Sequence, residues 1–159
     1  MGMDVFGINP DSQIGEYFRA NIWYWRPLWG YVENNFPEIA LKVPDAYVNA
    51  GDGLDAHDSF LLGEKIYHHV NGGLAKDYEQ DFNAAIAELP LIPCTLCHGT
   101  GQRVWPPHIT QDWIQTYNGC NGCSGTGLER DSSSWYIFSA ELLEEFSSFL
   151  IHCGGFQIW

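Results

Sequence analysis

The chain has 159 residues, of which 45% are hydrophobic and 17% charged, so it can bury a core and wholesale disorder is excluded. Its 20 acidic and 7 basic residues give a formal net charge of −13, and no cluster of lysines and arginines occurs. Direct binding of nucleic acid is therefore not expected, because nucleic-acid-binding surfaces are basic. The same acidity favours solubility or a protein partner with a basic surface.

The first ten residues, MGMDVFGINP, lack both the basic segment and the apolar segment of a secretory signal. No apolar run in the sequence is long enough to span a membrane. We therefore expect a cytoplasmic protein that does not bind a membrane. Thiols stay reduced in the cytoplasm, so paired cysteines are interpreted as metal ligands before disulfides.

The first half of the chain contains strand-like and helix-like segments. The residues MDVFGI predict a short strand, and the aromatic and β-branched residues of 17–25 predict a second. A short helix is predicted over 27–36, because proline is favoured at a first helical position. Asp55 is the predicted N-cap of a longer helix that ends at the glycines of 71–73.

The second half contains two further helices around a segment rich in glycine and cysteine. One helix is predicted over 74–89, with apolar residues on one face. Ser139 is the predicted N-cap of the last helix, and Gly154 with Gly155 ends it. The final residues FQIW predict a strand. The fold class predicted is α+β, a small sheet packed with about four helices.

Four of the five cysteines form two units of the pattern C-x-x-C-x-G-x-G, CTLCHGTG and CNGCSGTG. Each C-x-x-C turn can direct two thiolates at one ion, so two such turns complete a tetrahedral zinc shell. The glycines allow the sharp turn after each second cysteine, where a positive φ costs little only for glycine. The spacing predicts one structural Zn²⁺ bound by Cys94, Cys97, Cys120 and Cys123.

Three other interpretations of these residues remain open. The pattern C-x-x-C-H at 94–98 matches a haem attachment site with His98 as axial ligand, although it leaves the second cysteine pair unexplained. His98 could also replace one cysteine as a zinc ligand. A C-x-x-C pair could instead exchange disulfides.

The paired units resemble the cysteine-rich zinc domain of DnaJ chaperones, and they are similar to those of anti-TRAP, a family of small bacterial inhibitor proteins. This resemblance covers 94–127 and implies that the four cysteines bind zinc and that the chain binds other proteins. DnaJ chaperones carry four such units and a J domain with His-Pro-Asp, whereas this chain has two units and no such tripeptide. The remainder resembles bacterial and phage proteins with an opening MDVFG strand and a WRPLW block, which implies a bacterial or phage-infected host cell.

The domain organisation predicted is an α+β core with an insertion. Residues 1–93 and 128–159 form the core, and 94–127 form a loop-rich zinc module. Residues 102–119, between the two cysteine pairs, are expected to form a small hairpin or loop.

Two groups of aromatic and basic residues are candidates for binding a partner, because tryptophan, tyrosine and arginine dominate protein interfaces. Packing in the core is the alternative for the first group. The candidate residues are Trp23, Trp25, Arg26 and Trp29 in the first group and Trp105 and Trp113 in the second.

The segment GDGLDAHDS gathers Asp52, Asp55, His57 and Asp58. Such residues could form a catalytic site, and this enzyme alternative requires Asp55 and His57 to face a pocket. The other interpretation is structural, since acidic residues are common in the first turn of helices.

The function predicted is a zinc-binding, non-enzymatic protein-interaction module. One form would be an acidic bacterial or phage inhibitor, anti-defence or regulatory, that binds a basic site on a protein partner. Alternatives are a chaperone-like binder of unfolded protein and an enzyme that uses the acidic segment. A homo-oligomer is a further possibility.

Overall fold

The computed structural model describes residues 2–106, 108–116 and 119–159, and it has the α+β architecture that the sequence predicted. Within these residues the α-helices are α1 (Ile22–Asn35), α2 (Pro37–Ala40), α3 (Ala56–Asn71), α4 (Leu74–Ala87), α5 (Gln111–Thr116) and α6 (Ala140–His152). The strands are β1 (Gly2–Gly7), β2 (Tyr17–Asn21), β3 (Gly53–Leu54), β4 (Leu91–Pro93), β5 (Leu128–Arg130) and β6 (Phe156–Ile158).

The strands form two antiparallel sheets. The larger has the order β2-β1-β6-β3, and Val5 is its central residue, opposite Phe18 on one side and Ile158 on the other. All three side chains are buried on the same face of the sheet. The smaller sheet pairs β4 with β5, with Leu91 opposite Arg130.

The chain divides into two compact units. Unit 1 consists of Met1–Ala85 and Tyr136–Trp159, and unit 2 of Ile86–Trp135. Unit 1 therefore contains the larger sheet and most of the helices. Unit 2 contains the smaller sheet, α5 and the predicted module 94–127.

The core of unit 1 is aromatic and lies between the sheet and its helices. Trp25 and Trp29 stack with ring centroids 5.6 Å apart, and Phe146 contacts both rings edge-on. Helices α3 and α6 approach closely at Gly63, whose carbonyl accepts a hydrogen bond of 2.8 Å from Ser147 Oγ. A Cβ atom at Gly63 would lie only 2.8 Å from Cγ1 of Ile151, so this contact requires glycine.

Two predicted caps are confirmed. The Asp55 side chain accepts the backbone N–H of Asp58 at the start of α3, and the Ser139 side chain accepts that of Leu142 at the start of α6. These bonds satisfy N–H groups that have no partner within the helix.

The predicted boundary between the second strand and the first helix is wrong. The strand ends at Asn21, whose side chain accepts the N–H of Trp23 at 3.1 Å and so begins α1 five residues before Pro27. Pro27 lies inside the helix and cannot donate to the Trp23 carbonyl. That carbonyl accepts the N–H of Ile137 instead, at 3.1 Å, which compensates for the missing bond.

The segment 102–119 was predicted to be a hairpin or loop, but it contains the short helix α5. Pro107, Tyr117 and Asn118 of this loop lie outside the described residues.

Candidate metal centre

The first C-x-x-C-x-G-x-G unit folds into a tight turn around Cys97. Its carbonyl accepts hydrogen bonds from the backbone N–H of Thr100 at 3.1 Å and from the Thr100 hydroxyl at 2.7 Å. The chain then reverses, and the N–H of Gly101 donates to the Cys97 Sγ at 3.3 Å. His98 occupies the reversal with a φ of 52°, which is unusual for a residue with a side chain.

The second unit repeats the same bonds. The Cys123 carbonyl accepts the N–H of Thr126 at 3.1 Å and the Thr126 hydroxyl at 2.8 Å. The N–H of Gly127 donates to the Cys123 Sγ at 3.2 Å, and Ser124 has a φ of 50°. The two halves of the site are therefore built by the same local sequence.

The two turns pack against each other through their glycines. A Cβ atom on Gly101 would lie 2.3 Å from the carbonyl oxygen of Gly125, and one on Gly127 would lie 2.3 Å from that of Gly99. The contacts are reciprocal, so both turns depend on the absence of a side chain. Gly101 and Gly127 also have positive φ angles of 72° and 77°.

This packing brings the four cysteine sulfur atoms together. All four Sγ atoms lie within 4.8 Å of one another, and all four residues are buried and free of disulfides. The Sγ atoms of Cys94 and Cys120 are 3.9 Å apart, and those of Cys97 and Cys123 are 3.8 Å apart. A tetrahedron with zinc–sulfur bonds of about 2.3 Å has sulfur–sulfur edges of about 3.8 Å. The cluster therefore has the dimensions and donor atoms to hold a metal ion such as zinc.

The pKa values of the thiols differ across the cluster. Burial raises the pKa of Cys94 to about 12. Burial acts in the same direction on Cys123, but the hydrogen bond from Gly127 and those from neighbouring thiols outweigh it and lower its pKa to about 7. The protein alone therefore does not ionise all four thiols at neutral pH. A bound divalent cation would supply the charge that stabilises four thiolates.

The structure excludes His98 from the sulfur cluster. His98 is exposed, and the group of possible ligands contains the four cysteines without it. The alternative in which His98 replaces a cysteine is therefore not supported.

The loop that joins the two turns carries a stack of basic and aromatic side chains. The Arg103 guanidinium lies 5.0 Å from the centroid of the Trp105 ring and donates to Asn121 Oδ1 at 2.7 Å. The Trp105 ring meets that of Trp113 edge-on at 5.2 Å, and its Nε1 donates to the Gly119 carbonyl at 2.9 Å. The structure thus brings together the two tryptophans of the second predicted partner-binding group.

The first predicted partner-binding group requires a correction. Trp25 and Trp29 have no exposed surface, because they lie one turn apart on the face of α1 that packs on Phe146. They belong to the core and cannot contact a partner. Trp23 is half-buried against Tyr136, and Arg26 is exposed, so these two remain at the surface.

The acidic segment at 52–58 does not form one site. The Asp55 carboxylate caps α3, and the Asp58 carboxylate pairs with Lys42 at 2.6 Å. Asp52 accepts backbone N–H groups from Asp45 and Gly53, each at 2.9 Å, and His57 is exposed. The enzyme alternative required Asp55 and His57 to face a pocket. Asp55 caps a helix instead, so this condition is not met.

The turn role predicted for the glycines is confirmed, since Gly99, Gly101, Gly125 and Gly127 all have positive φ angles. The role of Thr100 and Thr126 was not predicted, although the repeated Gly-Thr-Gly at 99–101 and 125–127 was a signal for it. Glu129 was also missed, and its carboxylate accepts the N–H of Thr95 at 2.9 Å beside Cys94.

No helix in the described part of the chain is both long enough and apolar enough to cross a membrane. Compared with protein-family models, curated proteins and solved structures, the chain matches none of them.

Proposed function

We propose that the chain is a protein-interaction protein whose unit 2 is held folded by one zinc ion on Cys94, Cys97, Cys120 and Cys123. The observation that supports this most directly is the closed cluster of four buried sulfur atoms. Zinc sites that catalyse reactions keep one coordination position for water or substrate, whereas four cysteines fill the shell. The metal would therefore act in folding.

The composition of unit 2 supports a folding role for the metal. Among the described residues, its one cluster of buried hydrophobic side chains consists of the four cysteines themselves. A unit of this size without an apolar core needs a metal, a disulfide or a partner to stay folded. Since the cysteines form no disulfides, the metal is the stabilising element that fits.

The surface of unit 2 supports binding of another protein. Val104 is 95% exposed and Trp113 is 42% exposed on the loop between the cysteine pairs. Leu91, Leu96 and Trp135 are also exposed. Tryptophan and arginine surrounded by apolar side chains are the residue types that dominate binding energy at protein interfaces.

The distribution of charge supports a basic partner. Four acidic residues lie in unit 2, and every other acidic residue lies in unit 1, which therefore carries most of the net charge of −13. The four in unit 2 are Glu88, Asp112, Glu129 and Asp131. An acidic inhibitor of a bacterial or phage system, acting in the cytoplasm, is consistent with this charge and with the likeness of the cysteine units to DnaJ and anti-TRAP.

The proposal is tested by partner capture with the metal content measured on the same samples. The chain is immobilised as wild type, as Cys120→Ser and as Cys153→Ala, and each is exposed to bacterial lysate. Cys153 is the matched control, since it is a buried cysteine of unit 1 outside the cluster. We expect about one zinc per chain and a captured protein for wild type and Cys153→Ala, and loss of both for Cys120→Ser.

Two results would contradict the proposal. If wild-type protein without zinc keeps its fold, zinc is not the element that stabilises unit 2. If Cys120→Ser captures the partner as well as wild type does, binding does not depend on unit 2. Recovery of many unrelated unfolded proteins would favour the chaperone-like alternative over an inhibitor with one partner.

A further inference from the structure

The larger sheet of unit 1 has a free edge at β2. Strand β1 pairs with one side of β2, and no strand among the described residues pairs with the other. The N–H of Gly7 donates to the Glu16 carbonyl at 3.0 Å, which fixes the alternation of hydrogen bonds along the pair. The backbone N–H and C=O groups of Phe18 and Ala20 therefore form hydrogen bonds with β1. Those of Tyr17 and Arg19 point away from β1, towards the free edge.

The bonds of β1 confirm this alternation. Asp4, which lies opposite Arg19, exchanges both of its backbone bonds with Trp159 on the far side, at 3.3 and 2.7 Å. The backbone groups of Arg19 must then point away from β1. Among the described residues no backbone bond is made to the outward groups of Tyr17 or Arg19. Unpaired strand edges of this kind bind other strands.

A cavity of about 240 Å³ lies beside this edge, and all of its lining residues belong to unit 1. Ala20 and Tyr24 form one side of it. Leu142, Glu141 and Glu145 of α6 form the other. A strand added to β2 would therefore direct alternate side chains towards an apolar residue and two carboxylates on α6.

Two carboxylates of this face, Glu141 and Glu145, are unpaired within the described part of the chain. Glu141 and Glu145 are exposed, lie one helical turn apart, and make no hydrogen bond or ion pair with the described residues. Like charges at this spacing repel each other, so a cation between them would relieve the repulsion. Arg19 also lines the cavity, but its side chain pairs with Asp4 at 3.4 Å and makes no ion pair with either glutamate.

We propose that the free edge of β2 and the adjoining face of α6 bind an extended peptide of a protein partner, in which lysine or arginine alternates with apolar residues. The peptide adds a fifth strand to the sheet through the backbone of Tyr17 and Arg19. Its basic side chains point to the α6 face, where their charged ends pair with Glu141 and Glu145 and their aliphatic stems pack on Leu142. Its apolar side chains lie on the opposite face of the sheet, beside the exposed ring of Tyr17. Backbone bonds provide the affinity, and the alternate side chains provide the specificity. This inference rests on the proposed function: the peptide is a second contact of the same partner, made with unit 1, and capture of the whole partner still requires its contact with unit 2.

The test uses the full zinc-loaded chain and a set of acetylated heptapeptides in which lysine or arginine alternates with valine, leucine or threonine. Matched peptides carry glutamate in place of each basic residue. Binding is followed by amide resonances and by amide exchange. We expect basic peptides to bind and acidic ones not to, with slowed exchange at Tyr17 and Arg19 on binding.

Variants separate the two parts of the site. Glu141→Gln with Glu145→Gln should weaken binding about tenfold, whereas Glu144→Gln, on the same helix but outside the cavity, should not. Arg19→Pro removes the backbone N–H of residue 19, which points to the free edge, without breaking a hydrogen bond to β1, and it should abolish peptide binding. Arg19→Thr is its control, because it keeps this N–H and should still bind the peptide. The unfolding midpoint of each variant shows that it is folded.

Failure of every basic peptide to bind at millimolar concentration would overturn the inference, as would equal binding by acidic peptides or by Arg19→Pro. If peptides fail while zinc-dependent capture of a partner succeeds, this inference falls and the proposed function stands. If basic peptides bind with the expected pattern while no partner is captured, the site stands and the proposed function falls.

Discussion

Gly101 and Gly127 are the residues on which the geometry of the sulfur cluster depends most closely. Each donates its backbone N–H to a cysteine sulfur, has a positive φ, and lies against the backbone of the opposite turn. A methyl group at either position would separate the two turns, and the sulfur atoms would move with them.

We therefore expect Gly127→Ala to weaken metal retention strongly. The left-handed conformation alone costs about 1–2 kcal/mol for alanine, and the contact of 2.3 Å with the Gly99 carbonyl adds to it. Competition with a chromogenic chelator measures retention.

Gly73→Ala is the matched control for this prediction. Gly73 has a φ of 83° and open space around it, so it reproduces the conformational strain without the collision. It should cost about 1 kcal/mol of stability and leave metal retention unchanged. Equal metal retention by both variants would show that the reciprocal glycine contact is unimportant.

The sequence predicted more of the cysteine cluster than of the other candidate sites. The four cysteines that it paired are the four that the structure brings together, because repeated spacing within one local turn needs no knowledge of the rest of the fold. The role of Trp25 and Trp29 could not be predicted in this way. Aromatic residues serve both cores and interfaces, and only the packing of Phe146 decides between them.

The helices capped by Asp55 and Ser139 were the easiest elements to predict. Asp55 and Ser139 each precede an apolar periodic segment, so the local sequence and the tertiary packing agree. Helix α1 was predicted to begin too late because its first residues, IWYW, are typical of strands. The buried face formed by Trp25 and Trp29 outweighs that preference. The short elements α2 and β3 contain too few residues to show any periodicity.

Two glycines within helices should respond to alanine in opposite directions. Gly30 lies inside α1, and beyond its own helix no described residue has an atom within 4 Å of the position of a Cβ. Gly30→Ala should therefore raise the free energy of unfolding by about 0.5–1 kcal/mol. Gly63 lies in α3 against the backbone of Ile151, so Gly63→Ala should lower it by about 1–3 kcal/mol.

Chemical denaturation followed by tryptophan fluorescence measures both effects, because Trp25 and Trp29 report on the core of unit 1. A destabilising effect of Gly30→Ala would mean that the space beside α1 is filled in solution, for instance by a partner or a second copy of the chain.

At the scale of the whole molecule, the two units are stabilised by different means. Unit 1 has an extensive hydrophobic core, whereas the buried cluster found in the described part of unit 2 is made of cysteines alone. Metal removal should therefore unfold unit 2 and leave unit 1 folded.

Hydrogen–deuterium exchange before and after chelation measures this difference. Peptides from 94–127 should lose their protection, and peptides from α3 and α6 should keep it. Loss of protection in both units would show that the metal stabilises the entire chain.

The pairing of β4 with β5 has a consequence for how such a chain can change. Pro93 lies opposite Leu128, so the chain enters and leaves the cysteine-rich segment at neighbouring residues. A segment attached in this way can be replaced by a tight turn, or exchanged for a segment of another length, while the chain on either side keeps its course. The same arrangement would let evolution gain, lose or diversify residues 94–127 as a single cassette.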